Sequence, residues 1–262
     1  MSAPLSPGEA GKRYRLGRIF GATGRTVVLP VDHGLMLGRV SGLEDPVASL
    51  TQFLSHGCDG FLIGPGVARR TAELFADRGT PARVVTIDTY WRDKSGGVGS
   101  LVAQLAAVAA LGVDGVKLLL PWDVEPRERC ANAALVGSVI AEADGLGLPV
   151  MVEPIALEMA PSPERVAVEA DGCRMAAELG ADIVKVAYPG DPSTLAAWRE
   201  EVGVPVVILG GPQGGSSDEL VTMVSEAMAA GASGIVIGRK VWQRPAHEAH
   251  ELLDRLAAVV HA

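Results

Sequence analysis

Cysteine is scarce in this chain, basic residues are in deficit and no apolar run is long, and each shortage removes a class of function. The three cysteines, Cys58, Cys130 and Cys173, are too widely spaced for a disulfide framework or a metal knuckle, which fits a reducing compartment. A formal charge of -8, with no run of Lys or Arg, leaves nothing to neutralise a row of phosphates, so no nucleic-acid partner is expected. No apolar stretch is long enough to span a bilayer, and the first twenty residues lack the apolar core of a signal peptide. A cytoplasmic protein with no membrane partner is the expectation. Metal-ligand spacing is also missing, so neither a metal nor another cofactor is expected.

What is present is a repeated phrase. "SHGCDGFLIGPG", "ALGVDGVKLLLP", "ELGADIVKVAYPG" and "AAGASGIVIGRK" each carry a glycine that ends a helix (Gly57, Gly112, Gly180, Gly231), a short link and a β run. Between them falls a second phrase, Gly, any residue, Pro and a buried strand, in "GTPARVVTID", "GLPVMVEP" and "GVPVVILGG". Interleaving the two predicts eight strands near 26–32, 59–64, 83–88, 115–120, 149–153, 182–187, 205–210 and 234–238. Helical patterns are predicted over 99–111, 126–145, 163–179, 216–230 and 242–260. Eight β-then-α units in a chain of 262 residues predict a single (β/α)8 TIM barrel, with residues 1–22 as a leading arm or bottom-capping helix. The competing architecture is an open doubly wound sheet. It fits less well, because no G-x-G-x-x-G follows the first strand and no low-complexity linker divides the chain.

In a barrel, reactive groups stand at the C-terminal ends of strands. "ADIVKVAYPGD" places Lys185 inside the apolar sixth strand, where an unpartnered ammonium is costly and calls for a function. Lys117 occupies the fourth strand, Glu153 ends the fifth, and Asp32 and His33 end the first. Strands four and six share interior layers, so the two lysines are expected to face one another. Two neighbouring ammonium groups in a poorly solvated interior should leave one amine neutral and nucleophilic towards carbonyls. On this reading Lys185 forms a Schiff base and Glu153 is the general acid/base, with burial raising its pKa and lysine lowering it. Asp32 holds substrate hydroxyls or assists proton transfer, and His33 lines the site. The competing reading pairs the lysines with Asp32 or Glu153 in a buried ion-pair network, and makes Asp32 a turn or cap carboxylate.

"ILGGPQGGSSDEL" and "IVIGRK", after strands seven and eight, supply Gly210, Gly211, Gly238 and Arg239 where a barrel usually binds phosphate. Lesser candidates are Arg69 and Arg70 on the rim, Arg92 and Lys94 in a long loop "TYWRDKSGG", and Trp122 and Asp123 near an acceptor pocket.

The pieces "VVLPVDHG", "ADIVKVAYPGD", "VILGGPQGG" and "GIVIGRKVWQRP", in this order, resemble the class I aldolases of the archaeal-type fructose-bisphosphate aldolase (DhnA/DeoC-like) group. The resemblance covers nearly the whole chain. It implies Lys185 as the Schiff-base lysine, Asp32 as a substrate-binding acid, and Gly210, Gly211, Gly238 and Arg239 as phosphate ligands. Those aldolases and the related aminodideoxyheptulosonate synthases place a tyrosine acid/base near the end of strand five. "VMVEPIALE" has none. That wording, with "VKLLLPWD", is similar to the tagatose-bisphosphate and sulfofructose-phosphate aldolases, which implies that Glu153 takes the tyrosine's role and Lys117 belongs to the active site. The function implied is a Schiff-base class I aldolase, an aldehyde-lyase acting on a phosphorylated ketose with dihydroxyacetone phosphate as the three-carbon partner, in a homo-oligomer. Alternatives are a Schiff-base transferase or synthase of the aminodideoxyheptulosonate type, or a noncatalytic phosphosugar sensor.

Overall fold

The computed structural model describes residues 4–93, 96–210 and 215–262. Eight parallel strands close a barrel: β1 (Thr26–Pro30), β2 (Gly60–Ile63), β3 (Ala82–Thr86), β4 (Gly115–Pro121), β5 (Val150–Ile155), β6 (Ile183–Ala187), β7 (Val206–Leu209) and β8 (Gly234–Val236). Each strand pairs with its successor and β8 pairs with β1, so the predicted (β/α)8 architecture is the observed one. Among the described residues no helix is long and apolar enough to cross a membrane.

Strand alternation sorts the side chains into two layers. Val27, Leu29, Phe61, Val116, Leu118, Val184, Val186, Ile208 and Ile235 belong to the large core packed with the helices. Their neighbours Val28, Leu62, Val84, Met151, Ile183, Val207 and Val236 point inward and fill the lower interior together with Ile19 and Phe20. Those two come from helix Pro7–Phe20, which therefore caps the barrel bottom as the sequence suggested. Continuing each inward series two residues further, towards the C-terminal end, reaches Pro30 and Asp32, Thr86, Glu153, Lys185 and Gly238. The same alternation on β4 turns Lys117 and Leu119 inward. Packing at the bottom and chemistry at the top thus share one side-chain period.

The repeated phrase has a physical reason. Gly57, Gly112, Gly180 and Gly231 all have positive φ, which lets the chain leave the preceding helix or turn. The aspartate that follows in three copies accepts an N–H from the first or second residue of the preceding strand: Asp59 from Val27 at 2.7 Å, Asp114 from Arg83 at 2.8 Å and Asp182 from Val150 at 2.8 Å.

Two predicted helices differ. Residues 99–101, read as the start of a helix over 99–111, instead belong to the strand Gly96–Leu101, which forms an antiparallel hairpin with Asp88–Asp93, and the helix is confined to Leu105–Ala109. Gly96, Gly97 and Gly99 disfavour a helix here, since each glycine costs about 1 kcal/mol relative to alanine in a helix interior. Of the segment read as a long loop, residues 89–93 and 96–97 belong to these two paired strands. The helix predicted over 242–260 is interrupted: Arg239–Trp242 ends before Pro245, and Ala246–Val260 starts after it, because proline excludes the preceding residue from helical conformation.

Candidate active site

Three successive strands build the centre. The register sets Lys117 on β4 level with Met151 on β5 and Met151 level with Ile183 on β6, so Glu153 is level with Lys185 and one pleat above Lys117. Both lysines converge on the same atom. Lys117 Nζ lies 2.7 Å, and Lys185 Nζ 2.9 Å, from Glu153 Oε2, and all three residues are less than a tenth exposed.

This arrangement corrects the expectation of two lysines repelling one another into a neutral amine. A carboxylate stands between them. Burial alone would raise the Glu153 pKa, but the two lysines outweigh it and bring it down to about 2. Burial alone would lower the Lys117 pKa, but Glu153, Asp88 and Asp32 outweigh it and hold the ammonium charged. Lys117 therefore does not free an amine by repulsion, and Glu153 rests as a base rather than an acid. The buried ion-pair network and the reactive cluster are one arrangement, since a carboxylate held between two lysines is also a proton acceptor.

Asp32 accepts a hydrogen bond from Thr86 Oγ1 at 2.5 Å. His33 Nδ1 is 3.6 Å from Asp32 Oδ1, too far for a hydrogen bond, and is buried with no partner among the described residues. Burial, opposed by Asp32, lowers the His33 pKa and favours the neutral ring, whose edge meets Trp242 at 5.3 Å between centroids.

A cavity of about 260 Å³ collects these groups: Asp32, His33, Lys117, Glu153, Lys185, Gly210, Gly238 and Arg239 all line it. The loops after β7 and β8 thus meet on the cavity wall. A Cβ on Gly210 would lie 2.9 Å from Ile237 Cγ2, and one on Gly238 2.8 Å from Pro30 O, so these glycines keep the backbone close to neighbouring strands. Arg239 and Lys240 are half-buried and have no side-chain hydrogen bond or ion pair among the described residues. Two cations without carboxylate partners on one wall suit an anion.

Gly211, Lys94 and the side chain of Arg92 lie outside the described residues. Arg69 and Arg70 are exposed and do not line the cavity. Trp122 belongs to the core beneath the Arg129 guanidinium, and Asp123 accepts the Glu158 N–H, so neither shapes this cavity. Sequence reading missed Thr86, Asp88 and Lys240. The first two end "RVVTID" much as Asp32 ends "VVLPVD", and the same strand-end criterion would have found them.

The Glu153 shift has a consequence for stability. A carboxylate depressed from 4.5 to about 2 adds stability above pH 4.5 that is lost as pH falls from there towards 2. Denaturation midpoints measured across this window should fall more steeply for the parent than for Glu153→Gln.

A closed parallel barrel with two lysines and a carboxylate at the strand ends, in a cavity that also holds unpartnered cations, has the makings of an enzyme that works on carbonyl compounds. Residues 26–244 match the DeoC/LacD family aldolase, and the chain belongs to that family and is an aldolase. It is 31% identical over 265 residues to an uncharacterized aldolase of Saccharolobus solfataricus, covering 96% of this chain and 94% of the relative. It is also 31% identical over 253 residues to the 2-amino-3,7-dideoxy-D-threo-hept-6-ulosonate synthase of Halobacterium salinarum, covering 97% and 92%. The structure of an archaeal fructose-1,6-bisphosphate aldolase, with its catalytic lysine covalently bound to the carbinolamine intermediate of the substrate, superposes with a TM-score of 0.79 at 26% identity, covering 96% of this chain and 100% of that one.

Proposed function

We propose that this aldolase is of the Schiff-base type, cleaving or forming a C–C bond of a phosphorylated ketose with dihydroxyacetone phosphate as its three-carbon partner. The observation that carries the reading is the placement of Glu153 Oε2 within 2.9 Å of Lys185 Nζ and 2.7 Å of Lys117 Nζ, in a cavity whose wall also holds Arg239. Lys185 passes a proton to Glu153 and attacks the C2 carbonyl. The carbinolamine then loses water to give an iminium. With Glu153 again ionised, its carboxylate removes the C4 hydroxyl proton, the C3–C4 bond breaks, and the bonding pair moves into the iminium to give an enamine while the aldehyde departs. Protonation at C3 and hydrolysis release the three-carbon phosphate. Asp32 holds a substrate hydroxyl, His33 contacts substrate as a neutral ring, and Gly210, Gly211, Gly238 and Arg239 take the phosphate.

A second reading, a Schiff-base synthase joining a donor to another aldehyde, is favoured by the likeness to the Halobacterium salinarum synthase. The experiment that decides is a cleavage screen of phosphorylated ketoses, one of them sulfonated, read by release of the three-carbon phosphate in the presence and absence of a chelator. No cleavage of any ketose, with condensation of a donor and a second aldehyde, would favour the synthase. Loss of turnover with the chelator, restored by zinc, would rule out a metal-free mechanism.

The phosphate wall has its own test. Arg239→Ala should remove a charge-assisted contact of roughly 1.5 to 3 kcal/mol and raise KM for a phosphorylated ketose about 10- to 150-fold. An unphosphorylated analogue should barely respond. Equal losses on both substrates would make Arg239 structural.

A further inference from the structure

One buried carboxylate has no part in the mechanism above. Asp88 follows β3 and opens the hairpin; it is 1% exposed and does not line the cavity. Its Oδ2 accepts the Leu119 N–H at 2.7 Å, while Oδ1 is buried with no hydrogen-bond partner. Such a group is costly, and a buried polar atom left without a partner calls for a reason. The reason lies in what it flanks. Thr86 is in register with Lys117, the Ile87 N–H donates to the Lys117 carbonyl at 3.1 Å, and the Asp88 carboxylate holds the N–H two residues beyond. Residues 86–88 therefore hold the β4 backbone from the Lys117 carbonyl to the Leu119 N–H, and Asp88 stands second only to Glu153 among the charges that favour the Lys117 ammonium.

We propose that Asp88 is the standing counter-ion of Lys117, a positioning residue that keeps this ammonium charged and in place while Glu153 carries the proton taken from the substrate. The inference rests on the proposed role of Glu153 as the base. At rest two lysines face three carboxylates, Glu153, Asp88 and Asp32, with His33 beside Asp32. When the C4 hydroxyl proton moves to Glu153, its negative charge disappears and Lys117, 2% exposed, loses its nearest partner. A buried ammonium without a counter-charge gives up its proton. Asp32 is bonded to Thr86 and lines the cavity, where it is committed to substrate. Asp88 is withdrawn from the cavity, so its charge does not change as substrate enters and leaves. Burial pushes its pKa up to about 6, against the pull of Lys117 and the Leu119 N–H, so at neutral pH it is still mostly ionised.

The test is Asp88→Asn, whose amide oxygen can still accept the Leu119 N–H. Because burial disfavours the ionised form of Asp88, the variant should melt no lower than the parent at pH 7.5. Borohydride with dihydroxyacetone phosphate should still label Lys185. The alkaline limb of the kcat profile for ketose cleavage should move to lower pH by roughly one to two units, lowering kcat about 10- to 100-fold above the new limb with KM little changed. A kcat profile that keeps the parental limb, with or without a uniform loss, overturns the proposal. Should the single variant fail to fold, loss of the counter-ion predicts that Lys117→Met restores folding in the double variant; a double variant that also fails overturns it. A parent enzyme that neither traps nor cleaves overturns the aldolase reading and this inference together, whereas a normal parent with an unmoved limb overturns this inference alone.

Discussion

Replacing Lys185 with methionine should abolish borohydride trapping and lower cleavage by roughly 10⁴-fold or more, the scale expected when a covalent nucleophile is removed. The fold should survive. Methionine matches the length of the apolar stem, the position is 7% exposed, and the deletion leaves the Lys117–Glu153 pair at 2.7 Å as a balanced ion pair. In the parent, dihydroxyacetone phosphate and borohydride should add a reduced three-carbon group to the peptide containing "DIVKVAY", read by mass spectrometry. An adduct on Lys117 instead would exchange the roles of the two lysines. Both are within reach of the same carboxylate, but Lys185 is the less deeply buried of the two, 7% against 2% exposed.

Glu153→Gln should separate the two halves of the reaction. Trapping at Lys185 should persist at a reduced rate, with water taking the lysine proton in place of Glu153, while C–C cleavage falls by about 10²- to 10⁴-fold, the usual worth of a positioned acid/base. The variant should also be less stable by roughly 3 to 5 kcal/mol, because one carboxylate oxygen serves both buried ammonium groups and an amide cannot balance their charge. Thermal melting beside a cleavage assay distinguishes the effects. Parental cleavage rates in Glu153→Gln would remove Glu153 from the mechanism, and complete loss of trapping would mean that no other group can take the Lys185 proton.

The strand count and the strand-end candidates were legible because their signals are local. A glycine with positive φ, an aspartate that holds a neighbouring N–H and a run of β-branched residues each act over a few residues, and repetition made them plain. The hairpin was missed because "GGVGSLVAQLAAVAAL" has a helical apolar spacing in its second half, while glycine disfavours the helix in its first. Trp122 and Asp123 were misplaced for a related reason. Beyond the end of a strand the period of two no longer dictates which way a side chain turns, and Trp122 turns outward into the core.

By itself the sequence determined that eight strands alternate with helices, that their C-terminal ends carry Asp32, Lys117, Glu153, Lys185 and Arg239, and that no basic surplus, paired cysteines or long apolar span competes with that plan. Only the tertiary structure decided how those charges pair. Which ammonium meets which carboxylate depends on register across β4, β5 and β6, and one pleat of offset brings two lysines onto a single oxygen instead of opposing them across an empty interior. Charge interaction in a buried site depends steeply on distance and on the loss of water, and both are properties of the closed barrel rather than of any segment of the chain.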